Sequence, residues 1–90
     1  MFRYKTGIGV SYNRQGYIYF ASRMYRELPE GKRRKLEALC RRCGGESWQA
    51  LLAFVTSDAG ADAVCDRYYL SRSTLHRMVR RYYREFPETL

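Results

Sequence analysis

A run of hydrogen-bond donors near the end of this chain, Arg72, Ser73, His76, Arg77, Arg80, Arg81 and Arg84, recurs at spacings of three and four. At 3.6 residues per turn that spacing predicts one helix side built around Ser73, Arg77, Arg80 and Arg84, flanked by Arg72, His76 and Arg81. Leu75, Met78, Val79, Tyr82 and Phe86 fall on the opposite side. One side can anchor the helix in a core, and the other can offer guanidinium donors to phosphates and base edges. Ser71 precedes the run, where its hydroxyl can cap the helix and the helix N-terminus can approach a phosphate. A solvated surface face would normally mix acids with bases at i,i+4. Here only Glu85 and Glu88 offset the arginines.

Other chemistry has weaker support. Cys40-Arg-Arg-Cys43 has the spacing of half a zinc site, and Cys65 and His76 are the only further Cys or His ligands. These ligands would come from three different helices, and free cysteines on helix faces commonly pack as small hydrophobes. His76 is the only histidine, and Ser71, Ser73 and Cys65 each have a better structural role than that of a nucleophile beside it. Gly7-Ile-Gly9 lacks the surround and the lysine of a phosphate loop. The expectation is a non-enzyme with no metal and no cofactor.

The 90-residue chain carries 17 Lys plus Arg against 9 Asp plus Glu, a formal charge of +8, which favours a polyanionic partner. Its hydrophobic content of 46% suffices for one core and excludes a disordered chain. No apolar run is long enough to span a membrane. The start, Met-Phe-Arg-Tyr-Lys-Thr-Gly, lacks the apolar block of a secretion signal, so a cytoplasmic location and reduced cysteines are expected. Of the nine tyrosines, Tyr17, Tyr68 and Tyr82 suit inner helix positions with the hydroxyl reaching water. Tyr4, Tyr12, Tyr69 and Tyr83 have no such assignment.

The elements that must hold the basic helix can be read as follows. Residues 1–15 form a basic arm or loop, with Arg3 and Lys5 suited to a minor groove or left as a free tail. A hairpin over Ile8–Phe20 competes with a helix over Gly16–Leu28, which is preferred because Tyr17, Phe20, Ala21, Met24 and Leu28 recur at helical spacing. Asn13 is its expected cap. After Pro29 a second helix carries Leu36, Leu39, Cys40 and Cys43 inward and ends at Gly44-Gly45. The run Lys32-Arg33-Arg34-Lys35 is either a second phosphate patch or a solvated helix start. Trp48–Val55 is almost wholly apolar and should lie centrally. Thr56-Ser57-Asp58 supplies candidate caps for a fourth helix, whose inner face is Val64, Cys65 and Tyr68. The sum is an all-α, compact single domain of five helices: residues 16–58 as a platform and 59–86 as a helix pair.

Residues 60–81 resemble the helix-turn-helix of small bacterial and phage regulators and of transposase-type DNA-binding domains. Val64 and Cys65 match its first helix, Leu70-Ser71 its turn, and Ser73-Thr74-Leu75 with Val79 its second helix. Cys65 stands where such motifs prefer a small residue, and Tyr69 where they often have glycine. The resemblance implies a sequence-specific double-stranded DNA-binding protein, a small transcriptional regulator of a bacterium, phage or mobile element. Arg72, Ser73, His76 and Arg77 would read bases, with Ser71, Arg80, Arg81 and Arg84 on the backbone. A homodimer would enlarge the DNA contact. The competing readings are a module docking an acidic protein, such as a nuclease or polymerase subunit, and an RNA- or single-strand-binding accessory protein.

Overall fold

The computed structural model describes residues 4–90. Arg3 of the expected basic arm lies outside them. Five segments are α-helical: α1 (Tyr12–Arg23), α2 (Glu30–Gly44), α3 (Trp48–Thr56), α4 (Ala61–Tyr68) and α5 (Arg72–Glu85). Short 3-10 turns at Tyr25–Glu27 and Gly45–Ser47 connect the first three. No strand occurs among the described residues, so the hairpin alternative falls.

The core is a single cluster. Leu36, Leu39, Cys40 and Cys43 of α2 meet Ala50, Leu51 and Val55 of α3. Leu75, Met78, Val79 and Tyr82 of α5 close over them, and Val64 and Cys65 bring α4 against α3 and α5. The turn after α2 depends on glycine: Gly45 has φ +54°, a left-handed geometry that ends the helix as its sequence suggests. The expected caps for α4 are used elsewhere. Thr56 and Ser57 hydroxyls donate back to the Leu52 and Ala53 carbonyls, and α4 starts at Gly60 without a side-chain cap.

α1 departs most from the sequence reading. It begins four residues earlier than expected, because Ser11 rather than Asn13 accepts the Arg14 N–H as cap (3.2 Å). Its phase is also turned. Gln15, Ile18 and Ser22 are buried, while Tyr17, Phe20 and Met24, expected inside, are 39%, 57% and 50% exposed. The polar inward residues find complete hydrogen bonding, which removes the penalty for burying them. Gln15 Oε1 accepts from the Lys5 N–H (2.7 Å), and its Nε2 donates to the carbonyls of Lys5 and Val10 (2.9 Å each). Ser22 shares a 2.6 Å hydrogen bond with the Tyr82 hydroxyl and donates to the Ile18 carbonyl. Tyr82 is therefore satisfied inside the protein and does not reach water, and burial raises its pKa. Residues 4–11 are not a free arm: Ile8 is buried, and Gln15 holds the segment against the domain.

The α4–α5 junction turns on Tyr69, the only non-glycine residue with positive φ among those described (φ 58°, ψ 49°). The left-handed geometry lets the Leu70 N–H return to the Cys65 carbonyl at 3.0 Å. The Tyr69 ring is 94% exposed, so its side chain adds almost no packing. Left-handed backbone costs an ordinary residue roughly 1–2 kcal/mol, partly offset in glycine by a larger loss of chain entropy. Tyr69→Gly is expected to stabilise the fold by about 0.5–1 kcal/mol. Urea unfolding checks this, and a lower midpoint would show that the ring contributes contacts.

Candidate nucleic-acid interface

α5 owes its rigidity to both its start and its inner face. Ser71 Oγ accepts the Thr74 N–H at 3.1 Å, which satisfies a first-turn donor as expected. Leu75 and Tyr82 are fully buried, and Met78, Val79 and Tyr83 nearly so. Tyr83, which sequence spacing left unassigned, packs edge-on to Tyr82 with centroids 6.0 Å apart, and burial pushes its hydroxyl up to about 12. Phe86 leaves the helix with extended backbone and remains buried.

The opposite side of α5 is exposed, and its side chains fall into three groups. Arg77 and Arg80 reach solvent with no carboxylate in ion-pair range among the described residues, and Ser73 and His76 are exposed beside them. Arg72 and Arg81 are paired: Arg72 with Asp62 of α4 at 3.1 Å, Arg81 with Glu85 at 2.6 Å. Glu85 also receives Arg42 at 2.9 Å, and these two guanidinium groups hold its carboxyl below the usual range. Arg84 does structural work, donating from Nε to the Ile8 carbonyl at 2.8 Å and tying α5 to the 4–11 segment.

The helix borders two adjoining hollows, of about 340 and 700 Å³. Both are lined by Lys5, Phe54 and His76; Arg80 lines the smaller, and Arg23 and Arg72 the larger. Arg72, His76 and Arg80 follow one another four residues apart, so a single stripe of α5 faces this cleft. Lys5 is a participant that sequence spacing did not assign to this site. Its ammonium lies 5.2 Å from the Tyr83 ring centroid, and burial lowers its pKa. Nothing in the sequence could link position 5 to position 76, because the fold alone joins them through Gln15 and Arg84.

The cysteines are core residues. Cys40, Cys43 and Cys65 are all buried and unbridged. Burial pushes the Cys40 thiol up to about 12 and raises Cys43, away from the thiolate form that metal binding and redox exchange require. No three His, Cys, Asp or Glu side chains converge on a metal-sized site among the described residues. The Lys32–Lys35 run occupies the start of α2. Arg34 pairs there with Glu30 at 2.7 Å, and Lys35 reaches the Leu90 carbonyl at 3.3 Å. Among the described residues no helix is long and apolar enough to cross a membrane.

What remains for a ligand is a convex basic helix surface and a cleft beside it, both rich in donors and poor in acceptors. Set against known proteins, the chain matches no family model, no curated protein and no solved structure.

Proposed function

We propose that this protein binds double-stranded DNA in a sequence-specific manner, with α4, the Tyr69 turn and α5 acting as a helix-turn-helix whose second helix enters the major groove. The observation that carries this reading is the state of α5. It is capped at Ser71 and buried along Leu75, Met78, Val79 and Tyr82, and it projects Arg77 and Arg80 unpaired into solvent. A groove-reading helix needs that combination of a fixed inner side and unengaged donors outside. The left-handed residue between the helices supports the same reading. So does the +8 charge, which would draw the protein toward phosphates.

In this reading Ser73 and Arg77 face base edges, and Arg80 serves the backbone. Arg72 and Arg81 can exchange exposed carboxylate partners for phosphate, since such surface pairs contribute only about 0–1 kcal/mol. Arg84 drops out of the DNA-contacting set, because it is committed to the Ile8 carbonyl. The role that follows is a small transcriptional regulator of a bacterium, phage or mobile element, working in the cytoplasm without a cofactor. A homodimer belongs to this proposal, because one module of this size covers little DNA.

The test is fluorescence anisotropy with a random-sequence duplex from 50 to 300 mM salt. The expected result is a linear fall of log K with log salt, with a slope of roughly −3 to −4, from about four phosphate contacts at −0.9 each. No duplex binding at the lowest salt would overturn the proposal and leave the basic surface to an acidic protein or a single strand.

A further inference from the structure

The cleft beside α5 divides the basic surface of that helix into two stripes with different neighbours. Arg72, His76 and Arg80 line the hollows together with Lys5 and Arg23, which come from the 4–11 segment and from α1. Ser73 and Arg77 do not line them. The aromatic side chains of Phe54 and Tyr83 help to line the larger hollow. Two carboxylates adjoin the site: Asp58, paired with Arg23, and Asp62, paired with Arg72. Their side chains are 82% and 79% exposed, so an incoming anion can displace them at little cost. Lys5 is different. It is half-buried, and its ammonium rests on the Tyr83 ring, with no carboxylate in ion-pair range among the described residues. A partly desolvated cation without a counter-ion, at the centre of a cleft bordered by further cations, is a place for an anion.

We infer that this cleft seats the phosphodiester backbone of one nucleic-acid strand, with Lys5 as a phosphate anchor and the Arg72–His76–Arg80 stripe beside it. Ser73 and Arg77 are then the pair turned toward base edges. The assignment rests on the DNA-binding reading and sharpens it. Arg72 and His76 move from base reading to backbone positioning, and a contact 67 residues away in sequence from Arg72 joins the interface. The ligand chemistry is a chain of phosphodiesters, which a duplex or a single strand can supply.

The experiment compares the parent protein with Lys5→Gln, Lys5→Arg and Arg77→Ala in the salt titration, using two unrelated duplexes and the single strand dT8. Thermal melts accompany each variant. Because the Gln15 hydrogen bonds engage only the Lys5 backbone, Lys5→Gln should keep the fold. The expected result is a salt slope shallower by about one for Lys5→Gln on both duplexes alike, with the slope kept in Lys5→Arg. Arg77→Ala should instead change the ratio between the two duplexes. Unchanged slope and affinity in a folded Lys5→Gln protein, beside a clear loss in Arg77→Ala, would remove the cleft from the interface and leave the DNA-binding reading standing. If the parent binds dT8 in a Lys5-dependent way but ignores duplex, the cleft stands and the helix-turn-helix reading falls. If it binds neither, both fall.

Discussion

Gln15→Ala should be the most damaging single change of a polar residue in this protein, lowering stability by about 3 kcal/mol and the melting temperature by roughly 15 °C. Gln15 is fully buried and makes three hydrogen bonds to backbone groups of the 4–11 segment. Truncation leaves the Lys5 N–H and C=O and the Val10 C=O without their partner and opens a void next to Ile18. An unsatisfied group left inside costs about 1–3 kcal/mol, more than the hydrogen bond itself contributes. The damage should be local before it is global. The Lys5 amide should lose its protection from hydrogen exchange, while Leu51 and Leu75 keep theirs below the melting point. A Gln15→Ala protein with parental stability and a protected Lys5 amide would show that the segment is held by Ile8 and Arg84 alone.

The second large effect concerns binding. Arg77→Ala with Arg80→Ala should weaken duplex binding about 100-fold near 100 mM salt, with the melting temperature changed by less than about 3 °C. Both side chains are exposed and unpaired, so no core contact or ion pair is lost with them. Alanine is also the better helix former. A guanidinium on a phosphate or a guanine edge is worth roughly 1–3 kcal/mol, and two together give the stated factor. The control is Arg84→Ala, which should loosen the 4–11 segment by removing the bond to the Ile8 carbonyl. Equal affinity in the parent and the double variant would end the assignment of α5 as the reading helix.

How much of this was legible in the sequence differs from helix to helix. α5 was readable from Ser71 to Phe86 because its polarity is cleanly segregated and its cap is a strong local signal. The inner residues of α2 and the glycine stop at Gly45 were readable for the same reason. α1 was not. Counting apolar residues put Tyr17, Phe20 and Met24 inside, because Gln15 and Ser22 look like surface residues until their partners are known. Those partners are the backbone of residue 5 and the hydroxyl of Tyr82, both distant in sequence. The division of the basic surface escaped for a related reason. Helical spacing places Arg72, Arg81 and Arg84 near the outer side, but only the fold shows Asp62, Glu85 and the Ile8 carbonyl waiting for them.

The turned phase of α1 bears on how this sequence can drift. In most helices the oily positions are the guarded ones and the polar positions vary. Here the guarded letters are a glutamine and a serine, each specified by a geometry that no other side chain reproduces. Met24, half in water, can be exchanged for many types without unsettling the interior. A hydropathy profile would therefore rank the tolerance of this helix nearly backwards, and a distant cousin would betray its kinship by Gln15 and Ser22 sooner than by its aromatic residues.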